Sequence, residues 1–395
     1  MLQAIAQTGE IVLLSIKTRH EIEQLRKQTF YCPICKQQVI MKAGAEVIPH
    51  FAHYSSSHCR IREDGEGAYH ESGKLILYQW LKAQKLNVTL EPFLNEIQQR
   101  PDILLTVNTK KIALEYQCAT IPISIITARN KGYQAAGITP IWILGAKHFK
   151  RETASKFRLS PFTSSFIHQF PTSQSLKVFF FCPITRYFIT AQNIYFTTSF
   201  KALGKFVITK LKHLIFTDIF KEISFPKQEL YPLWLKEKML FRTKSRVRTT
   251  KQEFLWLKWL YIKQHHVETL PPLIYLPISS QIRMNKPLWL WQSKIILDHI
   301  APLSVGTKMD VRFIGRLLNK QTRSISQTPL LLKTKNPLIE YMSLLEQLKI
   351  VKQNAPFIYT KRIPVFVPST LERALEEDQL IINQLQKQNK SMIHK

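Results

Sequence analysis

The sequence predicts a mixed α/β chain built from a small metal-stapled N-terminal domain, an α/β core and a basic, mainly helical C-terminal domain. Three observations carry that prediction. Cys32-x-x-Cys35 and His50-x-x-His53 stand in one short segment. Residues 70–145 read as helix, three strands, helix and a wholly apolar strand. From about residue 226, apolar residues recur at helical spacing among many lysines and arginines.

The first elements are short. Residues 2–6 and 11–15, joined at Thr8-Gly9, have the pattern of a hairpin. Thr18 with Glu21 makes a capping box, opening a helix to about Lys27. Cys32-Pro33-Ile34-Cys35 is a tight knuckle, followed by a strand at 39–41 and by the histidine pair. Cys32, Cys35, His50 and His53 are expected to hold one structural Zn²⁺, with His58 and Cys59 near enough to replace a ligand. Zinc would stabilise a segment with few large apolar residues. The plainer alternative is two free thiols and two surface histidines. Residues 55–67 are polar and read as a loop.

A helix is expected over 70–84, with His70, Glu71 and Lys74 able to share one side of its first turn. A strand at 88–91 follows, and then the stretch RPDILLTVNTKKIALEYQ, residues 100–117. Its apolar runs, 103–107 and 112–114, flank Asn108-Thr109-Lys110, a strand–turn–strand pattern. In an antiparallel hairpin the start of one strand lies beside the end of the next, so Asp102 and Glu115 come together. Glu115 and Gln117 share a face by the two-residue period of a strand. Two carboxylates and an amide at a sheet end suit a hard divalent cation such as Mg²⁺. Alternatively, Asp102 is an ordinary turn residue after Pro101 and Glu115 faces solvent. Residues 124–136 read as a helix with Pro122 before it and Gly137 after it; Ile125 and Ile126 form its buried stripe, and Arg129 pairs with Tyr133. The apolar run 141–144, ending at Gly145, reads as a fully buried strand.

Beyond it, residues 177–181 and 187–190 suggest a hairpin around Cys182-Pro183. Residues 233–266 mix aromatic and basic side chains, which suits stacking on bases and contact with phosphates. But Phe254, Trp256, Leu257 and Leu260 also sit where a helix would bury them, and for the aromatics burial is the favoured reading. The basic run 242–251 is expected to be unpacked. Helices follow at 310–320, 337–348 and 369–387, with strands at 350–352, 357–359 and 365–367 that would make a winged-helix-like element. Domains are accordingly expected at 1–60, 65–150, 151–225 (a connecting region) and 226–395.

Composition narrows the function. Of 395 residues, 56 are Lys or Arg against 27 Asp or Glu, a net charge of +29 with an isoelectric point near 9.9. Such a field points to a polyanion, nucleic acid first and an anionic membrane surface second. A hydrophobic fraction of 45% excludes a disordered chain. The most apolar run, 178–182, is far below the ~20 residues of a membrane span, and no secretory signal is visible. Five cysteines do not make a disulfide framework, so a cytoplasmic setting is expected.

Taken together, the Pro101-Asp102…Glu115-x-Gln117 hairpin resembles the PD-(D/E)XK nuclease superfamily. With the Cys-Pro-Ile-Cys and His-Phe-Ala-His motifs, the His70 and Lys74 helix, Arg129 with Tyr133, and Ile-Trp-Ile-Leu-Gly, residues 1–150 resemble the competence protein CoiA family. The resemblance implies a zinc-finger-like N-terminal region, a restriction-endonuclease-like core and a helical C-terminal region. It also implies action on incoming DNA or recombination intermediates, in company with recombination or uptake proteins. Asp102, Glu115 and Gln117 would form the active site, joined by His70 and Lys74, with Asp102 and Glu115 holding Mg²⁺ or Mn²⁺. The superfamily places a lysine where this chain has Gln117, so the missing charge would have to come from His70 or Lys74.

Overall fold

The computed structural model describes residues 1–14, 17–44, 49–54, 59, 67–171, 173, 175–324, 327–331 and 335–387. Ser15, His58 and most of the expected polar loop at 55–67 lie outside the described residues.

The N-terminal domain is an antiparallel sheet wrapped around a small core. Strands β1 (Gln3–Ala6) and β2 (Ile11–Leu13) form the expected hairpin. Thr18 caps α1 (Arg19–Leu25): its hydroxyl accepts from Glu21 N–H, and Glu21 in return accepts from Thr18 N–H at 2.7 Å. Strands β3 (Phe30–Tyr31), β4 (Gln38–Lys42) and β5 (His50–His53) complete the order β2-β1-β3-β4-β5. Phe30, Val39 and Phe51 fill the interior.

The core domain opens with α2 (Ala68–Ala83) and β6 (Asn87–Leu90). Strands β7 (Ile103–Val107) and β8 (Lys110–Gln117) form the hairpin with Ile103 opposite Leu114, and Asn108 turns the chain in the left-handed region. Helix α3 (Ile123–Ala135) then crosses over to β9 (Ile138–Gly145), which pairs parallel with β8. Ile141 through Leu144 are fully buried, as their unbroken apolar run requires. Of the expected stripe on α3, Ile126 is buried but Ile125 is 46% exposed, because the helix rests on the sheet through Ile126, Asn130 and Tyr133.

The sheet does not stop there. After β10 (Lys150–Arg151), β11 (Lys156–Arg158), the short α4 (Pro161–Ser164) and β12 (His168–Gln169), strand β13 (Leu176–Phe181) pairs parallel with β9. Strands β14 (Tyr187–Phe196) and β15 (Lys201–Lys210) continue antiparallel, so ten strands share one sheet. No separate strand is read at 201–210 from sequence, because Lys201, Lys205 and Lys210 interrupt its apolar alternation.

The C-terminal part packs α5 (Lys227–Thr243), α6 (Lys251–Ile262) and α7 (Leu288–Lys294) around Trp234, Trp256 and Trp291. Strand β16 (Lys308–Asp310), helices α8 (Arg312–Asn319) and α9 (Pro337–Gln347), and strands β17 (Val351–Ala355) and β18 (Ile358–Lys361) follow. Their sheet order is β16-β18-β17, so the hairpin of β17 and β18 takes its third strand from ahead of α8. Residues 365–367 form no strand. Helix α10 (Leu371–Lys387) closes the unit against α5. There the expectation of an unpacked 242–251 run fails at its first member, since Arg242 is buried in an ion pair with Asp378.

Candidate functional site

Two constellations are built by these elements. In the first, the Cys32–Cys35 turn is held by Cys32 N–H donating to Gln37 O at 2.8 Å and Lys36 N–H donating to Cys32 O at 3.0 Å. Lys36 adopts φ +59° to close it. Ile34 N–H points at Cys32 Sγ at 3.4 Å, leaving both sulfurs on one side. Strand β5 lies against β4, and a residue three positions along a strand faces the opposite side. His53 therefore turns inward with Phe51, and His50 turns away. The sequence expectation of His50 as a ligand is corrected: Cys32, Cys35, His53 and Cys59 are the four that converge, their ligand atoms all within 4.8 Å of one another. Cys35 Sγ lies 3.4 Å from His53 Nε2. Tetrahedral zinc, with bonds of about 2.0–2.3 Å, needs ligand–ligand edges of roughly 3.4–3.8 Å, so this donor set fits the ion. Burial pushes the Cys32 thiol up to about 11, a cost that a bound cation would reverse.

The second constellation lies at the end of the large sheet under α2. Gly73 sits mid-helix because a Cβ there would come within 2.1 Å of the Tyr116 ring. That close approach lays α2 on β8, with His70 stacked on Tyr116 at 5.6 Å. One turn on, Lys74 is fully buried. Its ammonium is 3.2 Å from Glu71 and 3.8 Å from Asp102, and it is ion-paired with Glu91. Asp102 Oδ2 accepts from Tyr116 N–H at 2.7 Å and faces His70 Nε2 at 3.7 Å. Asp102 and Glu115 occupy the next opposed positions beyond the Ile103–Leu114 pair.

Glu115 is buried, and Arg129 from α3 donates to it at 2.5 Å, joined by the Tyr133 hydroxyl. Burial pushes this carboxyl up to about 7, against the lowering pull of Arg129, while the Asp102 charge pushes it up further. Arg129 also donates to Arg100 O at 2.9 Å, which ties α3 to the entrance of β7. Four carboxylates (Glu71, Glu91, Asp102, Glu115) thus gather with Lys74, Arg100 and Arg129 inside a chain of net charge +29.

Of the residues expected from sequence, the fold brings His70, Lys74, Asp102 and Glu115 together. Among the described residues the Gln117 side chain makes no hydrogen bond to this group; its amide donates to Ala119 O at 2.8 Å. Glu91 is the residue that sequence reasoning missed. It follows β6 with φ +47°, and its carboxylate accepts from Leu2 N–H at 3.1 Å while holding Lys74. A Glu before Pro92 carries no local signal for such a role; only the docking of the N-terminal domain reveals it.

The mixed parallel and antiparallel sheet carries opposed carboxylates at one end, with α2 and its buried lysine on the Tyr116 face and α3 on the Glu115 face. The residues that build it are those matched by a nuclease-like domain. The chain belongs to the competence protein CoiA family. Family models match residues 14–62 (Competence protein CoiA, N-terminal domain), 66–224 (nuclease-like domain) and 230–375 (C-terminal domain). Competence protein CoiA of Bacillus subtilis (strain 168) is 32% identical over 282 residues, covering 70% of this chain and 73% of that protein. No solved structure matches.

Proposed function

We propose that the protein is a metal-dependent deoxyribonuclease acting on incoming single-stranded or branched DNA in the cytoplasm during natural transformation, and promoting its recombination. The observation that supports this most is Asp102 opposed to Glu115, with the Lys74 ammonium 3.8 Å from Asp102. Glu71, Asp102 and Glu115 are oxygen donors suited to Mg²⁺ or Mn²⁺. Such an ion, when bound, neutralises charge on the phosphate and activates water near neutral pH. Lys74 supplies the fixed positive charge that Gln117 lacks. Tyr116 N–H and Arg129 orient the two carboxylates, and His70 is placed to exchange a proton beside Asp102. No helix among the described residues is long and apolar enough to cross a membrane.

Purified protein incubated with labelled single-stranded, duplex and branched DNA plus Mg²⁺ or Mn²⁺ tests this. Cleavage is expected, falling at least about 100-fold in Asp102→Ala, the scale of losing one charge-stabilising group. A second reading, a DNA-binding recombination mediator with a nuclease fold, is favoured by Gln117 being turned onto Ala119. Absence of cleavage on all three substrates, with DNA binding intact in Asp102→Ala, would replace the first reading by the second.

In the N-terminal domain we assign structural Zn²⁺ to Cys32, Cys35, His53 and Cys59, four protein ligands that leave no open position. Elemental analysis should find about one zinc per chain. Cys59→Ser should lose it and His50→Ala keep it; the reverse outcome would restore the ligand set expected from sequence.

A further inference from the structure

A cleft of about 890 Å³ opens between the nuclease-like sheet and the C-terminal helices. One wall is the chain just past β8: Thr120 and Ile121 begin three residues beyond Gln117, and Ile126 of α3 lines it one helical turn before Arg129. The opposite wall carries Trp289 and Arg323, and Phe200 projects from the tip joining β14 to β15. Along the chain, this wall thus starts within three residues of Gln117 and within one helical turn of Arg129.

Its lining has an unusual combination. Phe200 is 53% exposed and stacks on no other aromatic ring among the described residues. An exposed ring at a hairpin tip gains nothing from the fold by standing in water. Trp289, half-buried, leans on Trp256 with centroids 4.3 Å apart and lines the cleft at its partly exposed edge. The Arg323 side chain is half-buried yet makes no hydrogen bond or ion pair with any described residue. Burial alone holds its guanidinium below the usual range, with no carboxylate raising it. Glu253, the single acid of the lining, is already engaged by Lys244 and Arg246. A cation waiting for an anion beside an unstacked ring is the chemistry of an unpaired nucleotide: phosphate for one, base for the other. Duplex DNA keeps its base faces stacked inside and offers nothing to Phe200.

We propose that this cleft binds single-stranded DNA, with Phe200 stacking on a base and Arg323 holding a phosphate, so that the strand leads to the Asp102–Glu115 site. This rests on the reading that the protein acts on DNA, and is tested apart from cleavage, in buffer without added divalent ions. The fluorescence anisotropy of a labelled oligothymidylate and of a labelled duplex is measured with the full chain. Phe200→Ala and Arg323→Gln should each weaken single-strand binding about tenfold, the size of one base stack or one charged contact. Phe200→Trp should restore it, and duplex affinity should change less than about twofold in every variant. Because Phe200 sits at an exposed tip, its variants keep the fold whatever befalls Arg323→Gln. Unchanged single-strand affinity in Phe200→Ala, or an equal loss for duplex, would overturn the assignment. Failure of cleavage with intact, Phe200-dependent binding would leave the cleft standing and remove only the nuclease reading.

Discussion

Lys74 lies among Glu71, Glu91 and Asp102 at the end of the large sheet, while Asp378 lies between Lys238 and Arg242 in the C-terminal part. Both groups are buried, and both are built from the same side-chain types. The second is closed. Arg242 grips Asp378 with two bonds of 2.7 and 2.9 Å and donates to Glu268 O and Leu270 O. Lys238 donates to Pro272 O and Ile274 O and lies 3.1 Å from Asp378. Cations outnumber the acid, backbone carbonyls take the remaining donors, and nothing is left for a ligand. The network joins α5 to α10 and explains why the 242–251 run is not a free basic patch at its start.

The first group is acid-rich and open at one edge. The Asp102 side chain is 14% exposed and that of Arg129 28%, while Glu115 is 1% exposed, so solvent reaches the group at Asp102 and Arg129. An excess of carboxylates held apart by hydrogen bonds is costly unless a cation joins them. Buried charge by itself is therefore no mark of a functional site. Sign of the imbalance and access decide.

The contrast can be broken in stages. Asp378→Ala leaves two buried cations unpaired and should cost roughly 3–5 kcal/mol, read as a lowered denaturation midpoint. A loss under about 1 kcal/mol would mean that α10 is not held by this pair. Lys74→Met should cost about 3 kcal/mol, but here Mg²⁺ should raise the midpoint more than in the parent, because a cation can replace the ammonium. No Mg²⁺ response would contradict an open, acid-rich site.

A pH measurement sharpens the closed side. Burial pushes the Lys238 ammonium down to about 8 from an ordinary value of 10.5. Between those values the unfolded chain holds a proton that the native chain has released, so stability rises with pH across 8 to 10.5 and this contribution is lost as pH falls to 8. The slope approaches about 1.4 kcal/mol per pH unit, and Lys238→Met should abolish it. A variant with the parent's slope would assign the proton elsewhere. Smallest is Gln117→Ala, expected to change cleavage less than about threefold, since the amide serves only Ala119 O. A large loss would return Gln117 to the chemistry.

Much of the first half was legible because its signals are local. The capping box at Thr18 and Glu21, the turn at Asn108 and the apolar run 141–144 each determine their own geometry. Asp102 and Glu115 could be paired because antiparallel register follows from the turn. Glu91 was invisible because its role depends on Leu2 N–H and Lys74, far away in sequence. The x2 spacing points to His50 because it looks alike in a knuckle and a strand, whereas His53 is the histidine that converges with the cysteines. On the knuckle both residues point one way, and on the strand they point opposite ways.

The sequence by itself determined the helix, three strands, helix and strand over 70–145, the opposed carboxylates and the family, since those rest on periodicity, turns and spacing within short stretches. Tertiary structure decided which residues converge in the cysteine cluster, which lysine is buried among the carboxylates, and which basic residues are packed away. These are matters of long-range proximity: Cys59 reaching Cys32, Lys74 lowered onto the sheet by Gly73, Asp378 brought to Arg242. No local preference of the chain encodes such meetings; they follow only when separate apolar faces are buried against one another.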